Sequence, residues 1–386
     1  MVAPKLRFQE FDDAWSNSKI DDIAVVTSGG TPSRSNLTFW DGNIPWVTTS
    51  LVDFNIIQSA EEFITQKGLD NSSAKLFPKN TILMAMYGQG ITRGKVAILG
   101  IDATTNQACA AIKLQSNYDT QFIFQNLMSR YEEIRDLSND GGQKNLSAGI
   151  IKEIEVYYPE KTEQIKIASF LSVVDEKISQ FNQKHELLSQ YKQGMMQKLF
   201  SQQIRFKADD GSEFGEWEGK ELHQIFQIKA GGDIEKSSVS EVRTSEFSYP
   251  IFANSDKNKG FYGWANKFKY KEAVTVTGRG NLGIAVARNE PFYPIVRLLV
   301  LLPLVKQNLK FFEEQINLLD IVSESTGVPQ LTAPQLSKYK VNVPSLEEQT
   351  KIANFLSSID QKIEVVAQQI EQAKQWKKGL LQQMFI

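Results

Sequence analysis

Between residues 257 and 279 the chain sets Lys257, Lys259, Lys267, Lys269, Lys271 and Arg279 against one acid, Glu272. Phe261, Tyr262, Trp264, Phe268 and Tyr270 are interleaved with them. Ammonium groups in such a run can neutralise phosphates, and Arg and Asn side chains can reach base edges. Thr277 within the run, and Asn254 and Asn281 on either side of it, add neutral donors and acceptors. An earlier stretch, residues 71–101, carries Lys75, Lys79, Arg93 and Lys95 and no acid. Within it "YGQGITRGK" (87–95) offers Gln89, Thr92, Arg93 and Lys95, and upstream stand Thr31, Ser33, Arg34, Thr48 and Thr49. Solvated strand faces would have the same composition, so either patch alone leaves two readings open. Two patches at similar places favour a nucleic-acid surface.

Other chemistries have less to draw on. Formal net charge is −2, so any nucleic-acid surface must be local. Cys109 is the only cysteine, which excludes an internal disulfide and a thiolate zinc site; it reads as a small buried hydrophobe in "NQACAAI". With His185 and His223 the only histidines, catalysis by His or Cys is poorly supplied. No Asn-Pro-Pro-aromatic methyltransferase motif, Walker A loop or nuclease carboxylate–lysine cluster stands out. "GRGNLG" (278–283) matches a dinucleotide fingerprint, but that site needs a helix opening at the third glycine. "IAVARNEPF" follows and reads as a strand, so a β-turn presenting Arg279 and Asn281 is the better account. No apolar run approaches the roughly 18 residues of a membrane span, and the N-terminus lacks the apolar core of a signal peptide. A cytoplasmic protein without a membrane partner is expected.

The elements that position these residues come in pairs. Residues 156–200 laid over 341–385 without a gap give 20 identities in 45 positions, among them Glu163/Glu348, Gln164/Gln349, Asp175/Asp360 and Phe200/Phe385. In the first copy Ile167, Leu171, Val174, Ile178, Phe181, His185, Leu188, Lys192, Met195 and Leu199 alternate at spacings of four and three. The second copy repeats the spacing from Ile352 to Met384. An a/d seam held this long predicts a coiled coil, with Ser345 and Glu348 a capping box at the second start. Lys192 and Lys377 interrupt the seam and are expected to snorkel beside Tyr191 and Trp376.

Fainter matches precede each helix. "LRF" (6–8) returns as "IRF" (204–206), and Trp15 and Trp217 each stand fourteen residues before a Gly-Gly pair. Leu146 and Leu331 align thirteen residues before the proline that opens each helix, and Gly142 aligns with Gly327. Between these ends the sequences diverge. "NTILMAMYG", "KVAILG", "EAVTVTG" and "RLLVLLPLV" predict strands, and short helices are expected near 120–136 and 306–319. The expectation is therefore an α+β protein: two mixed α/β domains at opposite ends of a long antiparallel two-helix coiled coil, related as a pseudo-twofold internal repeat. The expected boundaries are 1–158, 159–201, 202–343 and 344–386.

The paired helices "EQIKIASFLSVVDEKI" and "EQTKIANFLSSIDQKI", ending in "GMMQKLF" and "GLLQQMF", carry a resemblance to a known family. So do "SGGTPSRSNLTFWDGNIPWVTTSLV" (28–52) and "GQKNLSAGIIKEIEVYYP" (142–159). Over nearly its whole length the chain resembles the specificity (S) subunit of a bacterial type I restriction–modification system, the HsdS family. That resemblance implies two target recognition domains, each reading one half of a bipartite asymmetric site in double-stranded DNA. It implies that the helices set the spacing and dock two methyltransferase (M) subunits, with exposed helix faces and the ends around Lys198 and Gln382 as contacts. Restriction (R) subunits would complete the nuclease. S-adenosylmethionine would belong to M, ATP and Mg²⁺ to R, and no catalysis or cofactor to this chain. A coiled-coil adaptor that never touches DNA and a nucleotide-dependent enzyme stay open as alternatives.

Overall fold

The structure is a computed structural model and describes residues 3–88, 91–137, 145–321 and 330–385. It divides into two compact units, Met1–Asn182 with Gln368–Ile386, and Gln183–Ala367. In the first unit the strands are β1 (Ser16–Lys19), β2 (Ala24–Ser28), β3 (Trp40–Val47), β4 (Ile56–Ile57), β5 (Glu62–Ile64), β6 (Ile82–Ala85), β7 (Val96–Leu99), β8 (Thr104–Thr105), β9 (Cys109–Leu114) and β10 (Glu155–Tyr158). Its short helices are α1 (Ile20–Ile23), α2 (Gln66–Asp70), α3 (Thr120–Ser129), α4 (Tyr131–Asp136) and α5 (Ala148–Lys152), and α6 (Lys161–Phe200) leads out of it. The second unit holds β11 (Glu218–Glu221), β12 (Phe226–Ala230), β13 (Val239–Ser240), β14 (Tyr249–Phe252), β15 (Phe261–Ala265), β16 (Ala273–Thr277), β17 (Ala285–Arg288), β18 (Tyr293–Pro294), β19 (Leu298–Pro303) and β20 (Lys340–Val343). Its helices are α7 (Leu222–Ile225), α8 (Leu309–Ile316), α9 (Ala333–Leu336) and the start of α10 (Leu346–Met384).

Each unit contains a similar frame. The main sheet runs β2-β9-β6-β7-β4 in the first and β12-β19-β16-β17 in the second. Its middle strands are short apolar runs buried on both faces, "ILMA" and "VAIL" in one and "AVTVT" in the other, as such runs predict. "RLLVLLPLV" supplies β19, whose first four residues are buried. A smaller sheet joins β3 to β8 in parallel at Trp46↔Thr104, and β14 to β18 at Ile251↔Tyr293. Gly29 and Gly231 leave the main sheet where it meets the smaller one. A Cβ there would meet the carbonyl oxygens of Thr105 and Ile295 at 2.0 and 2.8 Å, so no side chain fits without a shift.

The helix ends are built into these frames. In the first unit Ile167, Leu171 and Val174 near the start of α6 share a core with Leu380, Met384 and Phe385 at the end of α10. In the second, Met196 and Leu199 near the end of α6 share one with Ile352, Leu356 and Ile359 near the start of α10. Start therefore meets end in both units, the antiparallel sense that the repeat predicts. Every seam position from Ile167 to Leu199 and from Ile352 to Met384 is buried or half-buried.

Aromatic side chains lock each helix end to its sheet. Trp15, Phe122 and Phe385 contact in sequence at 5.8 and 5.2 Å between ring centroids; Trp217, Phe311 and Phe200 repeat this at 5.9 and 5.2 Å. Phe122 and Phe311 are fully buried, each contributing about 2–3 kcal/mol by area. The "LRF" and "IRF" repeats also acquire a role. Arg7 donates to both oxygens of Glu163 at 2.7 Å, and Arg205 to both of Glu348 at 3.1 and 2.8 Å. Ser345 caps α10 by accepting from the Glu348 amide at 3.3 Å. The Glu348 carboxylate is drawn instead to Arg205 and to Trp217 Nε1 (3.0 Å), so the expected capping box is only half made.

Lys192 and Lys377 do not snorkel beside aromatic rings. Lys192 Nζ lies 2.7 Å from Asp360, and Lys377 Nζ lies 2.6 Å from Asp175. Their side chains are only 18% and 13% exposed, and an ammonium so enclosed needs a carboxylate.

Candidate nucleic-acid interface

Part of the predicted set sits at one edge of each main sheet: Thr92, Arg93 and Lys95 between β6 and β7, and Arg279 and Asn281 between β16 and β17. In the first domain three loops converge on the turn Asn106–Ala108. Gly30 N donates to Thr105 O (2.8 Å), Asn106 N to Val47 O (3.1 Å) and Met86 N to Ala108 O (2.8 Å). Thr31, Thr48 and the exposed Tyr87 thus surround one turn, and Thr31 Oγ1 donates to Gln107 Oε1 at 2.5 Å. Ser33 is exposed, and Thr48, Thr49 and Thr92 are half-buried. Gln89 lies outside the described residues, as do Gly142 and Gly327.

The three candidate cations of this domain, Arg34, Arg93 and Lys95, are engaged within the protein. Arg34 pairs with Glu62 through both outer nitrogens, and Glu62 is correspondingly held below the usual carboxylate range. Arg93 Nε donates to Arg135 O (3.1 Å) at the end of α4. Lys95 Nζ lies 2.6 Å from Asp53.

The second domain differs. Among the described residues no acid lies within 4.0 Å of the terminal nitrogens of Lys257, Lys259, Lys267, Lys269, Lys271 or Arg279. Lys257 and Lys259 sit on a 3-10 turn, Lys257–Gly260, in which Asn258 and Lys259 have φ of 47° and 51°. Lys267 and Lys269 lie on the exposed connection between β15 and β16.

"GRGNLG" is the turn of the antiparallel pair β16 and β17, with φ of +74° at Gly280 and +82° at Gly283. No helix opens there, so the amide cluster of a dinucleotide site is missing. Asn254 spends its amide on this turn: Oδ1 accepts from Gly278 N (2.6 Å) and Arg279 N (3.1 Å), and Nδ2 donates to Arg279 O (2.7 Å). Thr277 is buried and also braces it, donating to Asn281 O (2.5 Å) and accepting from Ile284 N (3.0 Å). Asn281 Nδ2 donates to Asp256 (2.5 Å), tying the turn to the lysine-bearing loop. Arg279 itself is exposed. Leu331 N donates to Gly278 O, and Leu146 N to Met86 O, both at 2.9 Å. The aligned leucines thus fasten the two turns in the same way, which puts Tyr87 where the second domain has Arg279.

Sequence reasoning missed several participants. Gln107 stands exposed in the central turn of the first domain, inside a segment read only for its cysteine. Arg288 is buried at the end of β17. Its guanidinium lies 3.5 Å from the Phe252 ring centroid and donates to Thr275 Oγ1 (3.1 Å) and Lys259 O (2.5 Å). Burial pushes it down to about 10, still charged at neutral pH. An arginine closing an apolar strand was the available signal.

Comparison with known proteins follows this duplicated geometry. The profile of the type I restriction modification DNA specificity domain matches twice, over residues 12–189 and 215–375. A type I restriction enzyme specificity subunit of Methanocaldococcus jannaschii is 31% identical over 229 residues, 58% of this chain and 52% of that relative's length. A second specificity subunit of that organism is 24% identical over 404 aligned positions, covering 95% of this chain and 91% of its own. In fold, the chain is similar to the crystal structure of a type I restriction–modification S subunit from M. genitalium, with a TM-score of 0.65 at 19% identity over 100% and 99% of the two chains. Two successive matches that fall on the two repeated frames place this chain in the family of type I restriction–modification DNA specificity proteins.

Proposed function

We propose that this chain is the sequence-reading component of a type I restriction–modification complex, each domain reading one half of a bipartite asymmetric site in double-stranded DNA. The observation that carries the reading is the pair of equivalent sheet edges with unlike side chains. One presents Lys257 and Lys259 on a loop tied to a braced arginine turn, and the other presents Thr31, Thr48 and Tyr87 around Gln107. Similar frames with dissimilar tips suit two different half-sites. Lys257, Lys259, Lys267 and Lys269 take phosphates in this reading, and Arg279 and Asn281 reach bases. Asn254 and Thr277 hold the turn that presents them.

The helices dock two methyltransferase subunits and set the spacing of the half-sites. Exposed apolar side chains at repeat-equivalent positions, Tyr191 and Trp376, support docking, as do the exposed ends at Lys198 and Gln382. Adenine methylation, with S-adenosylmethionine, then belongs to the M subunits. Cleavage of unmodified DNA, with ATP and Mg²⁺, belongs to the R subunits, and this chain supplies recognition alone. The test is to produce the chain with its methyltransferase in a host lacking adenine methylation and to map modified adenines. A two-part motif that disappears with this gene is expected. Methylation indifferent to the gene, or confined to one uninterrupted motif, would refute the proposal.

A further inference from the structure

Arg34 is held more firmly than an exposed arginine usually is. Its guanidinium lies 3.7 Å from the ring centroid of Trp40 and 4.8 Å from that of Trp46, and the two indoles meet edge to face at 5.1 Å. Both rings are buried and tied to the loop that carries the arginine. Trp40 Nε1 donates to Ser33 O (3.1 Å), and Trp46 Nε1 to Gly30 O (3.0 Å). Glu62, paired with Trp46 across β3 and β5, accepts from Nη1 and from Nη2 (2.9 Å). Stacking fixes the plane of the guanidinium, and the carboxylate fixes its rotation within that plane.

What stays open is a donor edge. A guanidinium has five N–H groups, and Glu62 uses one from each outer nitrogen. Among the described residues Nε has no partner, and the side chain keeps 53% exposure. The free edge, Nε with a neighbouring Nη, matches two acceptors side by side on a rigid ligand. Phosphate and guanine O6/N7 both have that form. Glu62 decides between them: its charge cancels that of Arg34 and repels an incoming anion, while a neutral guanine edge meets no such repulsion. Because the side chain is already ordered, little rotamer entropy remains to be lost on contact.

We propose that Arg34 reads a guanine in the half-site of the first domain through its Nε edge, with Trp40 and Glu62 as positioning residues. This rests on the DNA-reading function above. The test compares methylated motifs, mapped as above with the methyltransferase present, for wild type, Arg34→Ala, Arg34→Lys and Glu62→Gln. Both Arg34 variants lose discrimination for guanine at one position of one half-site by about tenfold or more, and the other half-site is unchanged. Glu62→Gln removes the carboxylate charge and half of the clamp while Arg34 stays cationic. It relaxes the same position partly and raises binding of the complex to random duplex.

An unchanged motif in both Arg34 variants would overturn the assignment. So would equal weakening on every sequence, or loss of all binding, with a shallower salt dependence, since that marks a phosphate contact. A wild-type locus that yields no two-part motif would instead sink the DNA-reading function itself.

Discussion

Lys192 and Asp360 form the same ion pair as Lys377 and Asp175, because each lysine and each aspartate is the other's copy 185 positions away. The surroundings differ. Lys310 bridges Glu313, Glu314 and Asp360 at 2.6, 2.7 and 3.3 Å, and Lys192 also reaches Glu314 at 2.9 Å. In the first unit Gln125 takes the place of Glu314 and donates to Asp175 at 3.0 Å. Asp360→Asn is therefore expected to cost more than Asp175→Asn, about 1–2 kcal/mol against about 1 or less, given the partial exposure of both aspartates. Urea denaturation of the two variants measures this, and equal losses would mean that the added charges contribute nothing.

Acid should remove the difference. Burial opposes the Asp360 charge, but Lys192 and Lys310 outweigh it and lower its pKa. A carboxylate lowered on folding stabilises above its unfolded value of about 3.9, and that contribution disappears as pH falls through the folded value. The gap in urea midpoint between wild type and Asp360→Asn should hold from pH 8 to 5 and close below about pH 4. A gap intact at pH 3 would assign the loss to packing.

Glu348 is 1% exposed and accepts from Arg205 and Trp217; Glu163, equally buried, accepts from Arg7, while Trp15 Nε1 has no partner among the described residues. Removing a buried carboxylate strands its arginine at a cost of about 3–5 kcal/mol. Glu348→Ala should lie at the upper end of that range and Glu163→Ala lower, because only the former also orphans an indole. Thermal unfolding of the purified complex would show the order.

Much of this frame was legible in sequence because it is periodic or duplicated. The seam from Ile167 to Leu199 follows from spacing alone, and the matched Trp15/Trp217 and Leu146/Leu331 mark real anchor points. Partners across the fold were not legible. Nothing along the chain joins Lys192 to Asp360, Lys95 to Asp53 or Arg34 to Glu62, since each pair is made by topology. Asn254 and Thr277 read as DNA contacts from residue type, yet their polar atoms are used on a turn that periodicity does not describe. Arg288 escaped notice because an arginine in a strand reads as surface until its face is known.

In the second domain, Arg279→Ala should relax preference at one base position by about 1–3 kcal/mol, and Asn254→Ala should do the same by loosening the turn. Lys257→Ala and Lys259→Ala should weaken all sequences alike and reduce the salt slope by about one each. Binding titrations of the methyltransferase complex over a salt series separate the two classes. A lysine variant that alters sequence preference would reverse its role.

Cys109 offers an internal clock for opening of the first domain. Burial pushes its thiol up to about 11. A raised thiol stabilises fully below its unfolded value of about 8.5, and this is lost as pH rises toward 11. Thiol reagents at pH 8 should label it only at the rate of unfolding, and Cys109→Ala should flatten the alkaline loss. Rapid labelling of native protein would contradict its burial.

The seat of Phe385 against Phe122 has a consequence for how the polypeptide is made. The first domain leaves the ribosome early, yet its core needs Leu380, Met384 and Phe385, which are synthesised after the whole second unit. The second unit is one continuous stretch and can close as soon as it emerges. During translation the domain that comes first must therefore wait, half-built and open to chaperones, until the segment after residue 367 is made.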